Sequence, residues 1–261
     1  RNGLLKITGD NADNKVEVEG LGDIGEVEVF VDDVSVGQFV DVLSIKANLK
    51  GGDDEFFLAA IDVEGNVTAN LGNGADELDL DDTASTITDV LVIEGFLKVN
   101  FGKDTGDIAD FDDAISIGND VTLTGVADLD FNGDGVDFNV QIADDITFSS
   151  NLVIEFSGLG DVNSDNLELD FDNVNVVGTT TLDGSGNIDR FRLTNGFFLG
   201  NFNANMDDGN DVIDIDNGAA LKNNFSAQAN FRGGDDNDTL FKGLDNLFAL
   251  PELIADFETV V

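Results

Sequence analysis

Short runs of alternating apolar and polar residues recur along the whole chain. They are Lys15–Glu19, Glu26–Val29, Glu77–Leu80, Val121–Thr124, Asn166–Phe171 and Val212–Ile215. A period of two gives a β-strand one apolar and one polar face. Glycine, asparagine and aspartate separate the runs at the spacing of tight turns, and helical periodicity is almost missing. The pattern predicts an all-β protein built from short strands.

A six-residue phrase recurs between these runs: an apolar residue, two variable residues, glycine, one variable residue and aspartate. Its copies are Leu49–Asp54, Leu71–Asp76, Met206–Asp211 and Phe231–Asp236. Looser copies are Ile7–Asp13, Phe101–Asp107, Phe131–Asp137 and Phe156–Asp161, and a ninth turn at Leu182–Ile188 keeps the glycines but lacks the acid. A repeat of this kind predicts a stack of copies of one unit.

From Leu49 onward, the apolar first residues of successive phrases lie 22 to 30 residues apart, except for one gap of 50 that fits two coils. Such a coil accommodates about three short strands. This organisation resembles the right-handed parallel β-helix of bacterial extracellular proteins over nearly the whole chain. The resemblance implies a solenoid of about 9–10 irregular coils in one domain, residues 1–261.

The final segment, residues 247–261, is predicted to be a C-terminal cap or docking segment. It contains Pro251, the one proline of the chain. Proline cannot donate a hydrogen bond to a neighbouring strand, so its position suits the end of a stack.

The turn phrase is also similar to the glycine-aspartate repeat of RTX calcium proteins, as in Asn73–Leu78 and Asp208–Ile213. RTX coils repeat every nine residues, which these do not. The resemblance therefore implies calcium binding at the turns and says nothing of the coil geometry.

The chain has 54 acidic residues against 12 basic ones and a net charge of −42. This charge argues against binding to nucleic acid or to an anionic membrane surface, and it favours cations. No apolar run approaches the roughly 18 residues of a membrane helix, so membrane insertion is not expected. Because cysteine and histidine are absent, a bound metal must take oxygen ligands.

Stacked coils bring equivalent aspartates into columns, in which neighbouring aspartates lie about 4.8 Å apart. Two like charges at that distance repel by roughly 1 kcal/mol in water and by more near protein. Bound cations, salt or raised pKa values must relieve this repulsion. Calcium fits best, because it accepts six to eight carboxylate, amide and carbonyl oxygens in irregular geometry.

One segment predicts a denser site. Asp161, Asn163 and Asp165 are spaced as in a calcium loop of the EF-hand or dockerin kind, and Asp128–Asp134 opens in the same way. With the turn acids, the predicted metal ligands are Asp13, Asp54, Asp76, Asp107, Asp134, Asp137, Asp161, Asn163, Asp165, Asp211, Asp236 and Asp238.

The acidic charge also has an interpretation that needs no specific ion. A salt-adapted acidic surface without a specific ion explains the charge but not the fixed position of glycine and aspartate after an apolar residue.

Four phenylalanines occupy equivalent places in the repeat, and they predict an internal ladder of stacked rings. They are Phe101, Phe131, Phe156 and Phe231. A sugar-binding platform would more often use tryptophan or tyrosine, which are absent.

An enzyme is the main alternative, because parallel β-helices commonly carry polysaccharide lyases and hydrolases. Acid clusters at Asp79, Asp81 and Asp82 or at Asp110, Asp112 and Asp113 could serve as general acid and base. Lyases resembling pectate lyase use an arginine base near calcium, and Arg190 and Arg192 lie beside Asp189. We favour the simpler interpretation of these arginines, an ion-pairing patch on an acidic surface.

The sequence favours a secreted or cell-surface structural protein, such as a fibre, sheath, surface-layer or adhesin module, stabilised by calcium. The start at Arg1, without methionine, suits a processed or truncated product. Open strand edges at the ends of a rod could join copies into a homo-polymer, and an extracellular polysaccharide is a possible partner.

Overall fold

The computed structural model describes residues 3–81, 91–102, 107–112, 115–126, 128–132, 146–156, 167–186, 188–215, 222–243 and 246–261. Regular structure in these ranges is β-strand throughout, which confirms the predicted all-β class. The alternating runs form strands as predicted; for example, Lys15–Gly20, Glu77–Asp81 and Val212–Asp214 are strands. None of the described residues forms a helix that is long and apolar enough to span a membrane.

The strands in chain order are β1 (Leu4–Thr8), β2 (Lys15–Gly20), β3 (Val27–Val31), β4 (Val34–Phe39), β5 (Ser44–Asn48), β6 (Glu55–Ala59), β7 (Asp62–Val63), β8 (Val67–Asn70), β9 (Glu77–Asp81), β10 (Leu91–Ile93), β11 (Leu97–Asn100), β12 (Ile108–Asp112), β13 (Ile115–Ile117), β14 (Val121–Val126), β15 (Asp128–Asn132), β16 (Ile146–Phe148), β17 (Leu152–Phe156), β18 (Leu167–Asp172), β19 (Val174–Val176), β20 (Thr180–Asp183), β21 (Asp189–Thr194), β22 (Phe197–Phe198), β23 (Phe202–Asn205), β24 (Val212–Asp214), β25 (Asn224–Phe225), β26 (Ala229–Arg232), β27 (Thr239–Phe241), β28 (Leu247–Phe248), β29 (Leu253–Ala255) and β30 (Thr259–Val260).

These strands form three long sheets. Sheet A has ten described strands, in the order β1-β5-β8-β11-β14-β17-β20-β23-β26-β29. Sheet C has eight described strands, in the order β7-β10-β13-β16-β19-β22-β25-β28. Sheet B has twelve, in which β6 to β30 by threes is preceded by β4, β3 and β2. The chain therefore visits A, B and C in turn. Pairing is parallel except in β2–β3–β4, an arrangement consistent with a β-helix-like solenoid.

Side-chain ladders on the outer face of sheet A give the repeat length. The amide of Asn70 donates to Asn48 at 3.1 Å, and that of Asn100 donates to Asn70 at 2.6 Å. These residues lie 22 and 30 positions apart, as the turn phrases predicted. The next coil places Thr124 beside Asn100.

The inner faces of the sheets enclose one apolar core, because alternate residues of each strand point inward. A ladder of stacked rings exists, but its members differ from those predicted. Phe198, Phe225 and Phe248 stack in sheet C, with centroids 5.2 and 4.9 Å apart and planes within 13° and 6°. The predicted set is wrong, because its members do not occupy equivalent positions. Phe131 belongs to β15 of sheet B, Phe231 lies within β26 of sheet A, and Phe101 follows the end of β11 of sheet A.

The two ends of the stack differ. At the N-terminal end, β3 and β4 extend sheet B as an antiparallel hairpin. At the C-terminal end, residues 247–261 add one parallel strand to each sheet. Pro251 lies between β28 and β29, outside the ladders, and its carbonyl accepts a hydrogen bond from Gln228 Nε2 at 2.7 Å.

We expect Phe225→Ala to lower the free energy of unfolding by about 3–5 kcal/mol, because it removes the central ring of the stack and leaves a cavity. Phe225 is 1% exposed. Urea denaturation followed by circular dichroism measures this loss. Phe241→Ala is the matched control, since Phe241 is 37% exposed. An equal loss in both variants would contradict the stack's role in the core.

Candidate functional site: a buried aspartate column

Six buried aspartates line the corner where the chain passes from sheet A to sheet B. Each lies at or directly before the start of a sheet B strand, and each is at most 1% exposed. We call them the aspartate column; its members are Asp54, Asp76, Asp107, Asp189, Asp211 and Asp238.

Left-handed backbone positions form the turns before Asp76 and Asp211. Gly72 and Gly74 have φ of 126° and 142°, and Asp207 and Gly209 in a later coil have φ of 70° and 147°. A Cβ on Gly74 would lie 1.9 Å from the carbonyl oxygen of Gly52 in the preceding coil. The phrase requires glycine there because the turn is left-handed and the coils approach closely.

The carboxylates of the column link successive coils. Oδ1 of Asp54 accepts the backbone N–H of Asn14 at 2.8 Å, Asp76 accepts that of Asp54 at 2.9 Å, and Asp107 accepts that of Asp76 at 3.0 Å. Each bond crosses from one coil to the next. A side-chain oxygen thus takes the role that a backbone carbonyl has within the sheets.

The same ladder continues near the C-terminal end. Oδ1 of Asp211 accepts the N–H of Asp189 at 2.8 Å, and Asp238 accepts that of Asp211 at 2.9 Å. Glu258 Oε2 then accepts the N–H of Asp238 at 2.7 Å.

The second carboxylate oxygens of Asp54, Asp211 and Asp238 are buried and accept no hydrogen bond from the described part of the chain. A buried polar atom without a partner costs about 1–3 kcal/mol, and more if it is charged. This cost is lowered when the group is protonated or when a cation lies against it.

Burial raises the pKa values of these carboxyl groups. It is the largest cause for Asp211, whose pKa rises to about 7 despite the hydrogen bond from Asp189, and the charge of Asp238 raises it further. The pKa of Asp189 also rises to about 7, again chiefly through burial. The same cause raises the pKa of Asp54 and of Asp238. Asp189 and Asp211 therefore keep their protons to a higher pH than an ordinary aspartate does.

Asp189 differs from the other members in the source of its hydrogen bonds, and the equivalent residue of the preceding coil is Leu167. Its carboxylate accepts two hydrogen bonds from its own turn instead. The backbone N–H of Ser185 donates to Oδ2 at 2.6 Å, and its hydroxyl donates to Oδ1 at 3.0 Å. Leucine at this position interrupts the column.

A second row of hydrogen bonds runs along the exposed side of the corner in the opposite direction. Asp13 Oδ1 accepts the N–H of Asp53 at 2.9 Å, and Asp53 Oδ1 accepts that of Ala75 at 2.9 Å. In a later pair of coils Asn210 accepts the N–H of Asn237 at 3.2 Å. Carboxylates therefore lie on both sides of the turn, one row buried and the other exposed.

Several predicted ligands belong to the column, and others do not. Asp54, Asp76, Asp107, Asp211 and Asp238 occupy it. The predicted phrase Phe231–Asp236 is out of register, because Asn237 and Asp238 lie beside Asn210 and Asp211.

The other predicted ligands lie beside the column or outside the described structure. Asp236 is exposed at a left-handed turn position with φ of 87°. Asp13 is likewise exposed, and Asn14 takes the column position. Asp134, Asp137, Asp161, Asn163 and Asp165 lie outside the described residues.

Asp189 was missed, because the turn at Leu182–Ile188 was predicted to lack an acid. The turn phrase counts forward from its apolar first residue to the aspartate, and this count misses the column residue where the length of the turn differs between coils. The following strand gives a better signal: a column residue stands two positions before the first inward apolar residue, as in Asp189 with Phe191 and Leu193. The same spacing relates Asp54 to Phe56.

Among the described residues, no group of three or more acidic side chains is arranged to hold a metal ion. The carboxylates that remain available to a cation are those of the column whose second oxygens lack a hydrogen bond, together with exposed acids of the same corner. The residues supply oxygen only, which matches calcium better than a transition metal.

The strands of sheet B carry a second set of acidic residues in register. Register places Asp79, Asp110, Asp130 and Asp170 at equivalent positions of successive strands, followed by Arg192 and Asp214. Arg190 and Arg192 are exposed, whereas Asp189, the first residue of the same strand β21, is buried. The arginines therefore do not share a face with Asp189; their register neighbours are Glu168 and Asp170.

Comparisons of the chain with protein-family models, with curated proteins and with solved structures give no significant match. Function is therefore inferred from the residues and their arrangement.

In the absence of metal, we expect stability to fall as pH rises from about 4 to about 7. Asp189 and Asp211 bind protons in the folded protein up to pH of about 7, whereas unfolded aspartate releases them near about 3.9. Their stabilising contribution is complete below the unfolded pKa and is lost through the folded one. Asp211→Asn keeps an acceptor for Asp189 and should flatten the curve, and Asp211→Ala should cost about 1–3 kcal/mol at every pH.

Urea denaturation between pH 4 and 8 in EGTA, at fixed ionic strength, measures these effects. Asp53→Asn is the control, since it removes one exposed charge from the same corner. Identical pH profiles for the Asn variants of Asp53 and Asp211 would contradict a titrating buried column.

Proposed function

We propose that this chain is a structural element of the extracellular or cell-surface kind, built as a right-handed parallel β-helix of about 9–10 coils. The parallel three-sheet order supports the solenoid, and the handedness follows from the strong preference for right-handed crossovers between parallel strands. Its role would be that of a fibre, sheath, surface-layer or adhesin module.

The observation that carries the structural role is the use of the column. Its carboxylates are buried and bind backbone N–H groups of neighbouring coils at 2.8–3.0 Å. A group in that position stabilises the stack and has no access to a polymer in solution. The most regular acidic feature of the chain is thus occupied with holding coils together.

Calcium is the cation we propose for the corners. Two observations support it: the partnerless buried oxygens of Asp54, Asp211 and Asp238, and the exposed acids Asp208 and Asp235, whose backbones pair across adjacent coils. Calcium bound there would neutralise like charges about 4.8 Å apart. Assembly through the open ends of the stack and contact with an extracellular polysaccharide are further parts of this proposal.

We expect calcium to raise the midpoint of thermal unfolding relative to EGTA at fixed ionic strength, and to do so more strongly at pH 8 than at pH 5. Calcium competes with protons for the same carboxylates, so its effect runs against the pH trend of the metal-free protein. Circular dichroism melts measure both. Equal midpoints in calcium and EGTA would refute the metal, and equal stabilisation by sodium chloride would favour a salt-adapted surface.

The structural role also predicts no turnover of acidic polysaccharides by the purified chain. If the chain were an enzyme, Arg190 and Arg192, which lie in register with Glu168 and Asp170, would be its candidate catalytic groups. Release of unsaturated or reducing sugars, lost in Arg190→Ala but retained in Arg232→Ala, would replace the structural proposal with a lyase or hydrolase. Arg232 is a suitable control because it is exposed and bonds Asp256 on sheet A.

A further inference from the structure

Exposed apolar side chains concentrate at the ends of the stack. Of the eighteen exposed large hydrophobic residues in the described ranges, eight lie between Leu4 and Leu43. Strand β4 contributes Val34, Val36 and Phe39, which are 64%, 56% and 38% exposed, and Val40 follows it at 51%. The N-terminal end is therefore apolar where the sides are acidic.

Strand β4 is an edge strand whose second side has no strand partner in the described part of the chain. It pairs with β3 from Val27↔Phe39 to Val31↔Val34, with a bulge at Val36. The N-terminal edge of sheet C differs, because the N–H of Gly25 bonds the carbonyl of Asp62 in β7 at 2.8 Å. Apart from its bulge, β4 lacks the charges, prolines and covering segments that protect edge strands.

No residue from Val34 to Val40 is charged, although a quarter of the whole chain is. The nearest acid on this face, Glu28, accepts hydrogen bonds from Ser35 Oγ at 2.5 Å and from Gln38 Nε2 at 3.1 Å. These bonds keep the pKa of Glu28 below its usual value. The polar side chains of β4 are thus directed to its own hairpin, and valines remain for another surface.

We propose that β4 pairs antiparallel with β4 of a second copy of this chain, which joins the two B sheets across a two-fold axis. This inference rests on the end association proposed above and specifies one of its contacts. Self-pairing of an uncharged strand places neutral residues opposite each other, whereas the sides of a second copy would bring acids. It also directs the two bodies, each with a charge of −42, away from each other.

Sedimentation equilibrium over a concentration series tests the pairing. We expect a species of twice the 27.7 kDa chain mass. Val36→Glu should raise its dissociation constant by about tenfold or more, because like charges then lie close across the two-fold axis. Val177→Glu is the matched control, since Val177 is 47% exposed but lies beside sheet C, away from the ends. Unchanged circular dichroism and thermal unfolding establish that the Val36 variant folds.

Cysteine scanning gives an independent measurement, because the chain has no cysteine of its own. Single cysteines at Ser35, Val36 and Gln38, oxidised alone and in mixed pairs, should form disulfide-linked dimers in the register of one two-fold axis. Cross-linking of Val36→Cys only with Val260→Cys would mean a head-to-tail contact and overturn the inference. A dimer that resists Val36→Glu would overturn β4 pairing alone, and a monomer at all concentrations would also overturn end association.

Discussion

Register between stacked coils is the constraint on which the rest of this structure depends. Parallel pairing fixes each residue beside its equivalents in the coils before and after, so a favourable or unfavourable neighbour is repeated along the stack. For Asn48, Asn70 and Asn100 the repetition is favourable, because an amide can both donate and accept. For phenylalanine it gives the stacked rings of sheet C. For aspartate it places like charges together, and the corner between sheets A and B has to accommodate them.

The corner accommodates them by giving the two carboxylate oxygens different roles. In Asp54, Asp211 and Asp238 one oxygen accepts a backbone N–H from the preceding coil, and the other is buried and has no donor among the described residues. Burial raises the pKa, so the acid is neutral over a wider pH range than an exposed aspartate. A proton and the proposed calcium ion would each relieve the same repulsion between carboxylates. They are distinguishable because their stabilising effects depend on pH in opposite directions.

The acidic sides and the apolar N-terminal end have complementary consequences for association. Side-to-side contact between copies brings carboxylates together, while contact through β4 brings together uncharged residues. Repulsion between the acidic side chains therefore limits which surfaces of two copies can approach each other. The proposed structural role is compatible with a stack whose ends carry the least charge opposing contact.

Alternating apolar residues determined the β class, and the turn phrase determined both the coil length and most members of the column, because both are local patterns. The sequence by itself did not determine register. The turn phrase ended on Asp236 and on Asp13, whereas the column positions of those coils are Asp238 and Asn14. It placed no acid at Asp189, and the predicted ring ladder grouped phenylalanines from different sheets. Turn length varies between coils, and only the pairing of strands shows which residues become neighbours. Tertiary structure also decided which acids are buried. The buried aspartate is the one two positions before the first inward residue of a sheet B strand, and the turn phrase does not contain that spacing because it counts forward from the preceding strand.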